Sequence, residues 1–305
     1  MNKILLTAIL FLLLVIDVKA QQDPQYTQYM YNMNVINPAY AGTKEHLTFG
    51  LLYRKQWLDI EDAPTSFTFY GEGPAGKNVG IGLSVIADKI GPITEQNVYG
   101  DFAYKLKLGE NSNLSFGIKA GATFQKVNFS EIISTLPDPS EGIFGKNSND
   151  ATFNLGSGVF YYTDKYYVSF SIPNMLNAAH LDYDGKKYGS DVSHYFLTAG
   201  YVFDLNPNLK FKPSFLLKSA FKVPTSLDVS ANFLYQEKVE FGATYRLQDS
   251  FGLLVNFNVT PDLRIGYAYD HIVSDLNVST TSSHEIILLY DFLPVKKVSL
   301  SPRFF

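Results

Sequence analysis

From Leu47 to Phe292 apolar and polar residues alternate in runs broken only by short polar stretches. Val79, Ile81, Leu83 and Val85 alternate with Gly80, Gly82, Ser84 and Ile86, and Leu114, Phe116, Ile118, Ala120, Ala122 and Phe124 with Ser115, Gly117, Lys119, Gly121, Thr123 and Gln125. Successive side chains of a strand point to opposite faces, so each segment carries one greasy face and one polar face. Repetition without an intervening helical pattern predicts an all-β fold, a transmembrane antiparallel β-barrel with lipid outside and a polar interior.

Alternation and turn residues place about fourteen strands, near 47–55, 65–72, 78–88, 95–108, 114–126, 151–163, 166–172, 193–204, 209–218, 226–236, 238–248, 251–259, 263–272 and 284–292. An even count suits a single-chain outer-membrane barrel. Six connections read as compact turns: Gly73–Lys77, Gly109–Asn113, Thr163–Lys165, Asn206–Asn208, the Glu237 region and Thr260–Asp262. They alternate with longer ones at Lys55–Thr65, Asp88–Thr94, Val127–Asp150, Pro173–Val192, Ser219–Thr225 and Val273–Ser283, and only Gln248–Ser250 breaks the trend. Short turns belong on the periplasmic side and long loops outside, which puts both ends of the barrel on the periplasmic side.

Inward positions are often Gly, as at Gly80, Gly82, Gly117, Gly121, Gly156, Gly158 and Gly242. Glycines there serve strand curvature or leave room for an inserted plug. Tyr161-Tyr162 and Tyr166-Tyr167 flank a turn and suit an interfacial aromatic girdle. The chain holds 24 Phe and 21 Tyr against a single Trp.

The N-terminus reads as a cleaved signal peptide over residues 1–20: Lys3, an apolar run from Ile4 to Ile16, then Val18-Lys19-Ala20. That run is shorter than the about 20 residues a spanning helix needs. Residues 21–46 form a separate periplasmic or luminal segment, and residues 47–305 the barrel with a C-terminal tail. There is no Cys, which excludes disulfides, thiol chemistry and a lipidated N-terminal Cys. The net charge of −4, without a basic patch interleaved with aromatics, gives no footprint for nucleic acid.

Catalytic and cofactor signals are absent from the sequence. The five His lack zinc-motif spacing, and His271 and His284 with Asp270 and Asp275 read as ordinary loop polarity rather than a metal site. No nucleophile elbow or P-loop occurs. The expectation is a protein without enzymatic activity, cofactor or metal.

Two blocks stand apart from both signal and barrel: Thr27-Gln28-Tyr29-Met30-Tyr31-Asn32 and Ile36-Asn37-Pro38-Ala39-Tyr40-Ala41-Gly42. Rich in Tyr and Asn, with an Asn-Pro turn and a Gly stop, they suit a lumen plug or a cap beneath the first strand. These blocks, Arg54-Lys55-Gln56-Trp57 followed by Ala63-Pro64-Thr65, and the tail Ser301-Pro302-Arg303-Phe304-Phe305 resemble the PorP/SprF family of membrane proteins associated with the type IX secretion system of Bacteroidetes. Family members often carry Asn-Pro where this chain has Asn32-Met33, a difference confined to the local turn.

The resemblance implies a barrel of the type IX secretion and gliding machinery that binds, helps export or anchors a large secreted surface protein, such as an adhesin with a type B C-terminal domain. Outer-membrane lipid and that cargo are the implied partners, with type IX ring or peptidoglycan-binding components as others. Tyr29, Asn32, Asn37, Pro38, Tyr40 and Gly42 are the partner-binding candidates, with Trp57 near the first outer loop as a seventh. Each also has a packing reading: Pro38 and Gly42 set a turn, the tyrosines pack, and Trp57 sits in an interface belt. The alternative function is a general diffusion porin for small solutes.

Overall fold

Strand parity builds the wall. The computed structural model describes residues 25–128, 148–176, 179–183, 186–190, 193–220 and 223–293. Its strands are β1 (Leu47–Lys55), β2 (Thr65–Pro74), β3 (Val79–Ile90), β4 (Ile93–Lys107), β5 (Ser112–Val127), β6 (Ser148–Thr163), β7 (Tyr166–Ile172), β8 (Ala179–Tyr183) and β9 (Lys186–Ser190). Then come β10 (Tyr195–Tyr201), β11 (Phe203–Asn206), β12 (Leu209–Ala220), β13 (Val223–Tyr235), β14 (Val239–Arg246), β15 (Ser250–Asn258), β16 (Leu263–Ile272) and β17 (Ser282–Phe292).

Fourteen of these close into one antiparallel barrel. The ring runs β10-β7-β6-β5-β4-β3-β2-β1-β17-β16-β15-β14-β13-β12 and is sealed by β10 against β12, with Tyr195 opposite Ser219 and Gly200 opposite Ser214. β1 joins β17 with Leu47 opposite Phe292, so the two ends of the barrel meet on one rim.

The predicted strand at 193–204 is divided. β10 ends at Tyr201, Val202 donates its N–H to the Lys165 carbonyl (2.8 Å), and β11 continues along β12 alone with a register shift. Within the predicted loop 173–192, β8 and β9 form a separate hairpin. Two connections expected to be long are tight, because strand pairing extends past the apolar alternation. β3 and β4 pair as far as Ile90 and Ile93, leaving Gly91-Pro92 as the turn, and β12 and β13 pair as far as Ala220 and Val223. With Gln248–Ser250, already short in the sequence, these two depart from the segregation of loop lengths, which holds at the β1–β2 and β16–β17 connections. The signal peptide, residues 129–147 with Pro137, Pro139 and Gly142, and the tail 301–305 lie outside the described residues.

Outward positions carry the apolar belt: Leu51, Phe67, Leu83, Phe102, Phe116, Ile118 (61% exposed), Phe241 and Leu253 are all accessible on the outer surface. A ring of exposed large apolar side chains has no reason to form in water and every reason to form in lipid. No helix among the described residues is long and apolar enough to cross a membrane, so crossing falls to the strands. Tyr161 and Tyr166 face outward, and the Tyr166 ring stacks on Tyr201 at 6.1 Å. Tyr162 and Tyr167 face inward and are buried, and the Tyr167 ring lies 5.5 Å from that of Phe160. Only alternate members of that tyrosine run therefore form the girdle, as strand parity requires.

Candidate functional site

The polar face of the wall does not look onto open water. Tyr26, Tyr29, Asn32, Asn34, Asn37, Tyr40 and Thr43 are buried against it, and residues 25–46 occupy the lumen. The segment is a chain of short turns: a 3-10 turn at Tyr29–Tyr31, one helical turn at Met33–Ile36, and a second 3-10 turn at Pro38–Tyr40. The last follows from its sequence. Asn37 is extended, its side chain accepts the Ala39 N–H (2.8 Å), and Pro38 supplies the fixed φ of a first helical position. Gly42, at φ 71°, turns the chain toward β1, and its backbone lies so close to Gly80 that a Cβ would sit 2.6 Å from the Gly80 Cα.

Contacts with the wall run from the outer half to the inner rim. Near the outer ends of β1, β16 and β17, Arg54 (2% exposed) donates to Asp270 (2.7 Å), Glu285 (3.1 Å) and the Thr27 hydroxyl (3.0 Å). Both carboxylates also hold the segment: Glu285 accepts the Thr27 and Gln28 N–H groups (3.0 and 2.9 Å), and Asp270 accepts the Thr27 hydroxyl (2.6 Å). Toward the inner end of β14 the Tyr31 hydroxyl donates to Glu240, which also receives the amides of Asn232 (2.6 Å) and Asn256 (3.2 Å). The Tyr31 ring lies under Lys212 Nζ (5.7 Å) and the Arg264 guanidinium (5.1 Å).

On the opposite wall Asn34 donates to Asp101 (3.1 Å), and Lys119 donates to the Val35 and Asn34 carbonyls (2.7 and 3.3 Å). At the inner rim Gly42 donates its N–H to Glu72 (2.6 Å), while Lys44 and His46 approach Asp291 at 3.4 and 3.2 Å. Burial pushes the phenols of Tyr26, Tyr29 and Tyr31 well above their ordinary value, which keeps all three protonated.

Six of the seven candidate residues come together here. Tyr29 is fully buried and donates to Ser214 (3.1 Å). Asn32 is fully buried, and its side-chain amide has no hydrogen-bond partner among the protein atoms. Asn37 donates to Ser169 (2.7 Å) and the Val159 carbonyl (3.0 Å). Pro38 lies over Gly117, and Tyr40 packs its ring edge-on to Phe160 at 5.4 Å. Gly42 closes the set at the inner rim.

Trp57 is elsewhere. It sits in the outer β1–β2 loop at φ 47°, with its N–H on the Ser283 hydroxyl (3.1 Å). Asp270 points inward to Arg54 while its neighbour His271 is exposed on the other face, and His284 bonds Tyr267 (2.5 Å). That suspected cluster is therefore split between the two sides of the wall.

The wall residues that hold the segment were not among the candidates: Arg54, Glu72, Asp101, Lys119, Glu240, Asp270 and Glu285. Their signal was a charge at inward parity within a strand, as at Arg54 after Thr48, Gly50 and Leu52. Of the seven inward glycines, Gly80, Gly82, Gly117 and Gly158 lie against the segment, where a Cβ would meet Ala41, Asn34, Ala39 and Asn37. Gly121, Gly156 and Gly242 instead meet wall residues or Pro173.

The geometry defines a class: a membrane-spanning barrel whose lumen is filled by the chain's own N-terminal segment through buried ionic and amide contacts. A family model of type IX secretion system membrane proteins matches residues 18–290, and the chain belongs to this PorP/SprF family. No curated protein sequence matches the chain.

Solved structures give the fold alone. The toluene transporter TbuX of Ralstonia pickettii superposes with a TM-score of 0.50 at 12% identity, over 85% of this chain and 92% of that one. The outer membrane protein Omp33 of Acinetobacter baumannii gives a TM-score of 0.46 at 11% identity, over 82% and 100%. The protein is a closed membrane barrel of the PorP/SprF type IX secretion family.

Proposed function

We propose that this barrel is a non-catalytic receptor of the type IX machinery that holds or hands over a large secreted surface protein. Residues 1–20 direct its export and are removed. The observation that carries the reading is the occupied lumen: the space a diffusion porin keeps open is taken by residues 25–43, hydrogen-bonded to strands on every side. Membership of a secretion family supports the same direction. The outer face adds an ordered platform, since Leu58 N–H bonds the Ser282 carbonyl (3.0 Å) and Asp59 accepts the Thr281 N–H (3.2 Å), joining the two loops beside the β1–β17 seam.

The test is crosslinking and affinity capture of the tagged protein from native outer membranes, with mass spectrometry. A large surface protein with a type B C-terminal domain, or type IX ring components, is the expected recovery. A barrel recovered without such partners and conducting ohmically in a planar bilayer overturns the reading in favour of a porin.

A further inference from the structure

The wall reads the main chain of the segment inside it. Wall carboxylates accept the backbone N–H groups of Thr27, Gln28 and Gly42. Wall donors reach the backbone carbonyls of Tyr31 (from Tyr70), Asn34 and Val35 (Lys119, 3.3 and 2.7 Å), Ile36 (Ser171, 2.9 Å) and Gly42 (Lys105, 2.9 Å). Gly80 and Gly117 bring the wall so near that added Cβ atoms would collide with the Ala41 carbonyl and the Ala39 nitrogen, so they make room for main chain rather than for particular side chains. Backbone groups are common to every polypeptide, which makes such a seat tolerant of sequence.

A second observation concerns the fit. Gln28 and Asn32 are fully buried, yet neither side-chain amide has a hydrogen-bond partner among the protein atoms. Neither side chain therefore adds a direct hydrogen bond to the wall, and the wall's direct contact at Gln28 is to its backbone N–H.

We infer that the lumen is a polypeptide-binding site, built to seat a turn-rich segment about as long as residues 25–43 through its backbone, and that the chain's own segment holds it in the absence of a partner. The ligand class is an uncharged polypeptide stretch with small residues where it crosses Gly80 and Gly117, donated by the secreted partner. This rests on the partner-binding reading above. It is tested on the purified barrel, so its failure and the failure of that reading in native membranes are separate results.

The experiment places a protease site at Glu45, which is exposed at the inner rim, in the full-length chain and cuts it after folding. A fluorescent peptide of sequence 25–43 is then added, with a barrel lacking residues 25–43 and refolded in the presence of peptide as the second form. Saturable uptake of label, displaced by excess unlabelled peptide, is expected. A peptide with Tyr29→Phe is expected to compete within about tenfold, since it loses one side-chain hydrogen bond between neutral groups and keeps the main chain. Esters replacing the Tyr26–Thr27 and Ala41–Gly42 amides remove two donors to carboxylates without adding bulk and are expected to weaken competition at least about 100-fold. Failure of both forms to take up peptide overturns the inference. So does an ester peptide that competes as well as the parent, because the seat would then recognise side chains.

Discussion

Arg54→Met is the sharpest test of how the lumen is held shut. The guanidinium is buried between Asp270 and Glu285, and it also donates to the Thr27 hydroxyl. Methionine preserves most of the volume and removes the charge. Two buried carboxylates are then left together without their cation, and breaking a buried ion pair by deleting one partner typically costs about 3–5 kcal/mol. Part of that cost is relieved if the outer end of the segment lifts away and water reaches Asp270 and Glu285, because Thr27 and Gln28 are tied to these same carboxylates.

The expected result is a barrel that still assembles but flickers open in a planar bilayer, with its urea midpoint lowered by an amount equivalent to about 3 kcal/mol or more. The triple variant Arg54→Met, Asp270→Asn, Glu285→Gln carries no stranded charge and should recover at least half of the lost stability. A silent Arg54→Met barrel within about 0.5 kcal/mol of wild type would refute the claim that this cluster fastens the segment. A triple variant no better than the single would show that volume, not charge, was at issue.

Four further outcomes follow from the geometry. Gly117→Leu drives a side chain into the Ala39–Pro38 backbone and should unseat the segment at a cost of about 1–3 kcal/mol, read as channel opening, while Gly100→Ala meets only the Ala120 carbonyl at 3.9 Å and should change stability by less than about 0.5 kcal/mol. Asn37→Ala removes the cap on Ala39 and the bonds to Ser169 and Val159 and should lower the unfolding free energy by about 1–3 kcal/mol, measured by urea titration in detergent. Tyr40→Ala empties the edge-on contact with Phe160 and should cost about 3–5 kcal/mol; cargo display lost while the barrel stays folded marks a binding role, and parallel loss of both marks packing alone. Trp57→Phe keeps the outer loop's N–H bond to Ser283, should leave thermal stability within about 0.5 kcal/mol, and removes the only tryptophan fluorescence, so a partner-induced emission change in the wild type that vanishes here reports on the outer platform.

The wall was legible because lipid on one side and a filled polar interior on the other impose parity on every strand, from Leu51 and Tyr53 facing out to Leu52 and Arg54 facing in. The even count is what lets the first and last strands, β1 and β17, meet antiparallel. What stayed hidden has identifiable causes. Lys89 and Ile90 break the apolar alternation and read as loop, yet they pair with Thr94 and Ile93, because ladder hydrogen bonding does not depend on side-chain polarity. The interruption at Val202 depends on the neighbouring Lys165 carbonyl, and nothing local in the sequence announces it. Tyr29, Asn37 and Gly42 were recognisable as an ordered cluster from composition and turn chemistry. Their partners were not, since Thr27 meets Asp270 and Glu285 across almost the full chain, and a lone inward charge such as Arg54 does not name its counterion.

The way the segment is fastened also bears on how readily it leaves. A plug packed on an apolar wall would lose about 25 cal/mol for each Å² of greasy surface re-exposed, and a lumen that then filled with water would be intolerable. Here the wall also holds the segment by hydrogen bonds and ion pairs whose groups regain water when they part, so each of these contributes only about 0.5–1.5 kcal/mol net, and about 1.5–3 where a charge takes part. An apolar cluster adds to this, with Tyr29, Met33, Ile36 and Tyr40 gathered against Leu52, Phe160, Tyr167, Leu216 and Ile287 from several strands. A vacated lumen would expose Glu72, Asp101, Lys119, Glu240 and Glu285 to solvent that suits them, leaving a water-filled barrel of ordinary polarity rather than a collapsed one. The wall is therefore compatible with both an occupied and a vacated state. That is the property a receptor which exchanges its own segment for a partner's requires, and a permanent stopper does not.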